Sequence, residues 1–599
     1  MAKFYSRQNI DFLLYEVFNV MSLTELPYFA EHSREEYNMI LDAADQLAHK
    51  ELRPYLIEMD RKEPQFKNGH VNVHPQIRKL MKEFGEGGWI SADGSKEYGG
   101  QQLPLMVSSC AQFIFGAANY SASVFPFLSA GAARLIQEFG SDELKNHFIP
   151  KLYDGSWQGT MALTEPNAGS SLSDITTQAV PINDDRKVFK IKGQKIFISA
   201  GDHDGVDNVV HLMLARIEGA PLGTKGISLF VVPQNRFNES GTHFENDVIT
   251  AGLFHKMGYK AAPIVHLSLG SNDNCMGYLV GEENKGLHYM FQMMNEARIA
   301  VGLSAVSIAS AAYYASLEYA NERPQGRTSD NKDLSKPQSL IIEHADVKRM
   351  LLFQKSIVEG SHALLLQCAL YADMAKTGKL AEREIFRLVL DLLTPVAKSF
   401  PSEMGILSTS ASIQILGGAG YCQDFPVEQY FREMRIHTIH EGTTCIHGLD
   451  LLGRKIVMGG GIAFRAFTEE VAKIIKKVKL EVTELVKYAE KLDDVLFRLQ
   501  NVTMKLSTMA MKEKRETFLA DATLYLELFG IVAVGWQWLL MGSRAQLKLA
   551  SGSKDKFYLS KLHTMRYYYE YELPKAEGLI ARLNSVDRVT LETPADQII

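Results

Sequence analysis

A block of β-branched segments interrupts an otherwise helical sequence, and this order of elements restricts the fold more than any other feature. Between about 155 and 286, runs rich in Val, Ile and Phe are broken by Gly, Asn, Asp and Pro, which is typical of strands and turns. The predicted strands cover 188–198, 209–217, 226–232 and 264–269. Strands and helices do not alternate here, and no G-x-G-x-x-G follows a strand. The order predicts a mainly α protein with an inserted β domain rather than a doubly wound dinucleotide-binding sheet.

The segments on both sides of this block have apolar residues at helical spacing, as in Tyr37, Ile40, Leu41, Ala44 and Leu47. A chain of 599 residues needs more than one core. After the glycine run at 459–461, long helices are predicted at 471–499, 500–542 and 556–584. The predicted organisation is an N-terminal arm (1–34), an N-terminal α domain (35–155), a middle β domain (156–285), a C-terminal α-helical bundle (286–458) and an additional helical domain (459–599).

Composition excludes several classes of function. A formal net charge of −6 argues against binding to nucleic acid. The 5 cysteines form no C-x-x-C pair and no His cluster has the spacing of zinc ligands, so no metal site is expected. The longest apolar run, 529–541, is shorter than the roughly 20 residues of a membrane span, and we expect a buried helix there. With no export signal in the N-terminal segment, a reduced, cytoplasmic location is expected.

The segment 413–455 is the richest in candidate functional residues. Gly417 and Gly418 allow the backbone to approach a bulky or phosphate-bearing ligand closely. Further on, Glu441 stands beside the flexible Gly442, which makes its carboxylate a candidate base. A solvated glutamate at a helix end would give the same pattern, so the residues alone leave both interpretations open.

Two further segments border the predicted β domain. The first, 162–171, carries the hydroxyls of Thr164 and Ser170, which suit hydrogen bonds to a polar ring edge or to phosphate oxygens. In the second, 193–201, the aromatic side chain of Phe197 precedes the hydroxyl of Ser199 by two residues. A turn rich in capping residues and an ordinary β core are the alternative interpretations of these two segments.

Taken in order, these segments closely resemble the acyl-CoA dehydrogenase family, over about residues 35–455. The motifs that carry the resemblance are Tyr98-Gly99-Gly100-Gln101, Phe139-Gly140-Ser141, Leu163-Thr164-Glu165-Pro166, His255-Lys256-Met257-Gly258, Glu322-Arg323, the Gln414 to Gly420 element and Glu441-Gly442-Thr443. The N-terminal arm and the helices beyond Gly461 resemble an enlarged branch that includes 3-methylmercaptopropionyl-CoA dehydrogenases.

The resemblance implies a fold and an activity. It implies an N-terminal α domain, a middle β domain and a C-terminal four-helix bundle, with FAD as cofactor and an additional C-terminal helical module. The implied reaction introduces a trans 2,3 double bond into an acyl-CoA thioester, by removal of an α-proton and transfer of a β-hydride to the flavin. This is a step of fatty-acid or related acyl-CoA catabolism.

The resemblance also implies roles for individual residues. Glu441 is the expected catalytic base. The expected FAD contacts are Thr164, Ser170, Phe197, Ser199, Arg323, Gln414, Gly417, Gly418 and Thr443. On the acyl-CoA side it implies Ser170, Arg298 and Gly442, although a surface ion pair would explain Arg298 as well.

Two other functions compete with this one. An acyl-CoA oxidase shares the fold and the base and passes electrons to oxygen. A non-catalytic flavoprotein scaffold would be expected to lose the glutamate, and Glu441 is intact. As a dehydrogenase, the chain is expected to use electron-transferring flavoprotein or an equivalent acceptor as partner and to form a homo-oligomer, with a dimer favoured.

Overall fold

The computed structural model describes residues 3–237, 243–330, 333–585 and 587–599, apart from the side chains of 237, 243 and 292–295. The chain forms two compact units. We call the first the helical unit; it consists of Arg298–Ile599, Leu105–Phe113 and the segment that ends at Tyr37. The second, which we call the β-containing unit, consists of Asn38–Pro104 and Ile114–Ala297.

Helices make up most of the described chain. Those up to the bundle are α1 (Arg7–Asp11), α2 (Arg34–Leu47), α3 (Leu56–Arg61), α4 (Gln76–Glu86), α5 (Leu105–Phe139), α6 (Asp142–Tyr153), α7 (Gly286–Glu322), α8 (Ala345–Thr377) and α9 (Leu380–Leu416). The later ones are α10 (Gly418–Tyr421), α11 (Val427–Met434), α12 (Thr444–Asp450), α13 (Ile462–Glu481), α14 (Val486–Lys512), α15 (Arg515–Leu519), α16 (Ala522–Ala550), α17 (Lys556–Tyr567), α18 (Ala576–Leu583) and α19 (Val589–Glu592).

The strands all belong to the β-containing unit. They are β1 (Gln65–Lys67), β2 (His70–Asn72), β3 (Trp157–Ala162), β4 (Gln178–Pro181), β5 (Val188–Ser199), β6 (Asn208–Ile217), β7 (Ile227–Pro233), β8 (Asn235–Phe237), β9 (His243–Glu245), β10 (Val248–Leu253), β11 (Ile264–Leu269) and β12 (Met276–Val280). The four strands predicted from sequence correspond to β5, β6, β7 and β11, so each is confirmed within two residues.

One eight-stranded sheet organises this unit. Its order is β10-β11-β5-β12-β7-β6-β3, and β4 pairs with β5 and β6. Only the β3–β6 and β4–β6 pairings are parallel among the described strands. The side chains that fill the core beneath the sheet include Phe189, Ile191, Met213, Phe230 and Leu267, all nearly inaccessible to solvent. The predicted fold, helices with an inserted β domain, is confirmed.

The apolar segment 529–541 is a buried helix, as predicted from its length. It lies within α16, and Trp538 donates from Nε1 to the carbonyl of Ser356 in α8 at 2.9 Å. The two helices can approach this closely because position 360 is glycine: a Cβ on Gly360 would lie 2.5 Å from that Nε1. Tyr568 and Tyr569, both buried, also donate their hydroxyl hydrogens to carbonyls of α16.

The prediction of three long, continuous helices beyond the glycine run was wrong, because each of them is interrupted. The chain leaves the helix at Val482, which has φ −135°, between α13 and α14. The chain leaves the helical conformation again at Glu513, which has φ −122° and follows α14. The last predicted helix is divided by a π-helical turn, Tyr568–Glu572, and by Pro574, which has no N–H to donate. Buried residues continue at helical spacing across the first and last of these breaks, so periodicity alone does not reveal them.

Three helical stretches meet the length and hydropathy expected of membrane spans: Leu105–Phe139, Gly286–Glu322 and Arg515–Ala550. Most residues of their apolar windows are buried inside the structure. The absence of a membrane span therefore stays a prediction.

Candidate active site

Phe197 occupies a distortion near the C-terminal end of β5. Opposite β11, the register shifts between Val265 and Leu267, so that two residues of β5 face one residue of its partner. Phe197 adopts φ 59°, a left-handed conformation that a bulky side chain rarely takes. Its ring is 57% exposed, and its centroid lies 4.7 Å from that of Phe254. A bulge of this kind re-aims a side chain, and here it presents an aromatic face that suits a planar ring.

A buried ion pair joins the loop of Thr164 to this strand. Ile196 donates its N–H to the carbonyl of Thr164 at 2.9 Å. Next to it, the ammonium group of Lys195 contacts the carboxylate of Glu165 at 2.8 Å, with both side chains buried. Thr176 and Thr177 donate backbone N–H groups to the same carboxylate. Thr164 therefore lies beside Ile196, three residues before Ser199 on the same strand.

The pKa values of both members of this ion pair are strongly shifted. Burial works to raise the pKa of Glu165, but the charge of Lys195 and the hydrogen bonds outweigh it and lower this pKa to about 2. Burial lowers the pKa of Lys195 to about 8, against the attraction of Glu165. Glu165 therefore remains ionised and serves the structure of the loop. Ser170, further along this loop, is exposed.

Glu441 lies in a left-handed turn of the helical unit. Glu441 has φ 53° and Gly442 has φ 92°, and Thr443 occupies the N-cap position of α12. A non-glycine residue in this conformation carries strain of about 1–3 kcal/mol, and such strain is commonest at functional sites. A Cβ on Gly442 would lie 3.0 Å from Nε2 of His447, so the turn also needs glycine for space.

Two buried side chains hold the carbonyls of this turn. His447 donates from Nε2 to the carbonyl oxygen of Glu441 at 3.1 Å, which requires the tautomer with the proton on Nε2. Lys398, in α9, donates from Nζ to the carbonyl oxygen of Gly442 at 2.7 Å. The backbone of the turn is thus fixed by donors from two helices.

The Glu441 residue is exposed to solvent, although the protein around its carboxyl partly desolvates that group. Burial raises its pKa, and the positive charges of Lys398 and Arg298 oppose that rise. A raised pKa makes the carboxylate a stronger proton acceptor, which is what a general base for a weak carbon acid needs. The raised pKa favours the candidate base over a solvated helix-end glutamate, and the role of Glu441 stays a prediction.

Three histidines near the turn are neutral. Burial lowers the pKa of His437 and His447 to about 3, and that of His440 well below its ordinary value. The ring of His437 meets that of His440 edge to face, with centroids 5.1 Å apart. The surroundings of Glu441 therefore contain no charged imidazole at neutral pH.

Arg298 is buried and forms an ion pair. Its guanidinium contacts the carboxylate of Asp450 at 2.7 Å, and only 4% of the arginine side chain is exposed. Arg454 donates to the other oxygen of Asp450. The ion pair is therefore internal rather than on the surface, and contact of Arg298 with acyl-CoA stays a prediction.

The four remaining predicted residues lie on the surface of the helical unit. Arg323 and Gln414 are exposed, as are Gly417 and Gly418, which follow α9. Gly417 has φ 62°, and a Cβ on either glycine would contact no other atom of the chain. This bare backbone suits the close approach of a ligand such as the adenosine-diphosphate part of FAD.

The predicted residues thus fall into three groups. Thr164, Phe197 and Ser199 lie where the loop after β3 meets the C-terminal end of β5. Glu441, Gly442 and Thr443 lie at the N-terminus of α12, Arg298 pairs with Asp450 at the other end of this helix, and the glycine element forms the third group. Sequence reasoning missed Lys398, His447 and Asp450, which hold the second group in place. A lone lysine within the apolar run 392–400 of α9 was the available signal for Lys398.

Comparison with known proteins covers nearly the whole chain. The acyl-CoA dehydrogenase N-terminal, middle and C-terminal domain families match residues 34–156, 160–271 and 284–456. A family described as acetyl-CoA dehydrogenase C-terminal like matches residues 467–594. The chain belongs to the acyl-CoA dehydrogenase family, and as a member it is an FAD-dependent oxidoreductase.

Individual relatives share the full length. The chain is 34% identical to the 3-methylmercaptopropionyl-CoA dehydrogenase of Ruegeria pomeroyi, over 93% of this chain and 94% of that protein. It is 33% identical to a butyryl-CoA dehydrogenase of Syntrophomonas wolfei, over 99% and 98% of the two chains. The structure of an acyl-CoA dehydrogenase complexed with FAD from Bacillus anthracis superposes with a TM-score of 0.74 at 20% identity, covering 98% of this chain and 93% of that one. Its likeness supports the fold, including the additional C-terminal helices.

Proposed function

We propose that this protein oxidises a saturated acyl-CoA to the trans-2,3-enoyl thioester, with Glu441 as the base that removes the α-proton. The observation that carries the proposal is the Glu441 turn: a left-handed, accessible glutamate whose pKa is raised by burial. The same residue is the one that the resemblance implies as base.

The reaction breaks the Cα–H and Cβ–H bonds and forms the Cα=Cβ bond. Glu441 accepts the proton from Cα. The N–H of Glu441 donates to the thioester carbonyl, where negative charge develops as the proton leaves. FAD, when bound, supplies the two-electron acceptor for the hydrogen that leaves Cβ. Thr164 and Ser199 would hold the flavin ring by hydrogen bonds, and Phe197 would flank it.

Gly417, Gly418, Gln414, Arg323 and Thr443 would contact the rest of FAD. The fit rests on the exposed aromatic face at the β5 bulge and on the bare backbone after α9. In this proposal, Arg323 and the glycine element serve the cofactor of a neighbouring subunit, which makes the protein a homo-oligomer, with a dimer favoured.

The dehydrogenase is favoured over the two competing functions. The relatives described above are named dehydrogenases, which speaks against an oxidase, and the tuned glutamate speaks against a scaffold without activity. The proposed electron acceptor is electron-transferring flavoprotein or an equivalent, and the proposed location is cytoplasmic.

The substrate is proposed as a short acyl-CoA within acyl-CoA catabolism. Two full-length relatives are named for butyryl and 3-methylmercaptopropionyl thioesters. The additional helices do not by themselves select an acyl group, since function resides in the site rather than in the fold.

An anaerobic absorbance titration tests the proposal. The FAD-loaded protein is mixed with acyl-CoAs of increasing length and with the 3-methylthiopropionyl thioester, and the product is identified by mass spectrometry. We expect one short thioester to bleach the oxidised flavin band and to lose two hydrogens. A flavin-loaded protein that no thioester bleaches would contradict the proposal.

A further inference from the structure

Lys398 is a buried cation whose contact to the Glu441 turn is direct. It lies in α9 within an apolar helical face, and its side chain is inaccessible to solvent. Its Nζ donates to the carbonyl oxygen of Gly442 at 2.7 Å. Burying an ammonium group is costly unless its charge is compensated, so the position needs an explanation beyond packing.

The charge of Lys398 acts on the groups around it. Facing it are the carboxyls of Glu441 and Glu403, which favour its charged form, and Arg298, which opposes it. Three histidines, His437, His440 and His447, also respond to its charge, and all three are neutral. Burial lowers the pKa of Lys398 to about 8, so it still carries a proton at neutral pH.

The hydrogen bond of Lys398 goes to the backbone rather than to a carboxylate oxygen. Glu403 accepts from the hydroxyl of Thr444, and the Gly442 carbonyl takes the ammonium group. Together with the bond from His447 to the carbonyl of Glu441, this fixes the two peptide groups that follow the Glu441 Cα. A hydrogen bond to the Gly442 carbonyl needs a donor but not a charge, so the charge itself is the feature to explain.

We propose that Lys398 is a positioning residue for Glu441: its ammonium group holds the Gly442 carbonyl, and its positive charge favours the ionised form of the Glu441 carboxylate. The inference rests on the proposed function of Glu441 as the base. It assigns α9 a part in the chemistry, since the helix sets how readily the base is ionised at a given pH.

Three variants separate the two parts of this role. Lys398→Met removes both the charge and the donor, whereas Lys398→Gln removes the charge and keeps a donor for the Gly442 carbonyl. Lys561→Met is the matched control, because Lys561 is also buried, also has a pKa lowered to about 8, and pairs with Glu359 instead.

The first readout is the pH dependence of flavin reduction by the thioester that bleaches the wild type. The rate rises with pH as Glu441 ionises. Removal of a nearby cation shifts a carboxyl pKa upward by about one unit or more, so the midpoint should rise by about one pH unit in both Lys398 variants. Lys561→Met should keep the wild-type midpoint.

The second readout needs no turnover. Infrared difference spectra between each protein and the same protein carrying Glu441→Gln isolate the Glu441 carboxyl band, whose pH titration gives its midpoint directly. We expect the same upward shift there.

If the infrared midpoint of Glu441 is unchanged in Lys398→Gln, the proposed effect of the Lys398 charge is wrong. Lys398→Gln is the milder substitution, so it decides this question even if Lys398→Met does not fold. If no thioester reduces the wild-type flavin, the proposed function fails, while the infrared titration still decides the effect of Lys398 on Glu441.

Discussion

Two glutamate–lysine pairs of this protein have opposite chemistry. Glu165 and Lys195 in the β-containing unit form a direct ion pair at 2.8 Å, and the pKa of Glu165 is lowered to about 2. In the helical unit, Lys398 contacts the backbone after Glu441 instead, and the pKa of Glu441 is raised. Both lysines are buried, and burial lowers the pKa of each to about 8.

The difference lies in where the hydrogen-bond donors point. Lys195 and two threonines donate to the oxygens of Glu165, which stabilises its ionised form. The donors around Glu441 bond to main-chain carbonyls and leave its carboxylate to a weaker, through-space attraction. In this protein the glutamate whose oxygens the lysine binds is held in its ionised form, and the glutamate beside whose backbone the lysine binds is the proposed base.

The largest effect should come from Glu441→Gln. The variant should keep FAD, yet flavin reduction by the active thioester should slow by about 10²- to 10⁴-fold, because the proton acceptor is lost. Stopped-flow absorbance measures this rate. Glu577→Gln, at an exposed ion pair with Arg498, is the control and should react as the wild type does. Near-normal reduction in Glu441→Gln would refute its role as base.

Lys195→Met should be the most destabilising change to the β-containing unit. It leaves the carboxylate of Glu165 buried without its cation, which costs about 3–5 kcal/mol, and it should also weaken FAD retention by loosening the Thr164 loop. Denaturant unfolding and flavin release measure the two effects. Lys190→Met on the same strand removes an exposed ion pair with Asp273 and should change little. Equal behaviour of the two variants would contradict a structural role for the buried pair.

The two glutamates should respond oppositely to neutralisation at pH 7. Glu165 has a lowered pKa, so its ionised form stabilises the fold above its ordinary pKa of 4.5, and this stability is lost as pH falls towards 2. Glu441 has a raised pKa, so its ionised form costs stability as pH rises above 4.5. Glu165→Gln should therefore lower the Tm at pH 7, and Glu441→Gln should raise it. If calorimetry shows Tm changes of the same sign in the two variants, the proposed difference between the two glutamates is wrong.

The smallest effect concerns Phe197. Phe197→Gly relieves the left-handed strain and removes an aromatic face that is largely exposed. We expect the affinity for FAD to fall about 2- to 10-fold, as an aromatic contact of about 0.5–1.5 kcal/mol predicts, while the Tm changes little. Phe254→Leu, a change to the ring that packs on Phe197, serves as the reference. If Phe197→Gly binds FAD as tightly as the wild type, the proposed contact between Phe197 and the flavin is wrong.

The fold was largely predictable because its signals are local and ordered. Strand composition located β5, β6, β7 and β11, and hydrophobic length identified 529–541 as a buried helix. The breaks in the C-terminal helices were not predictable, since a non-helical Val482 changes the backbone without disturbing the spacing of apolar residues.

The sequence predicted the residues proposed to contact substrate and cofactor, but it did not predict the residues that hold them in place. Glu441 stood in a recognisable motif, whereas Lys398 lies more than forty residues earlier in the chain and meets the turn only in the folded protein. Likewise, the left-handed conformation of Phe197 arises from a register shift between two strands, which no single segment encodes. Long-range contacts of this kind set the pKa values on which the chemistry depends.

Removal of the α-proton during flavin reduction is the central step of the account, and a deuterium isotope effect tests it most directly. The thioester that reduces the flavin is prepared with deuterium at Cα and compared with the unlabelled compound in anaerobic stopped-flow experiments. The account predicts several-fold slower flavin reduction and a product that has lost one deuterium. Equal rates together with full retention of the label would contradict it.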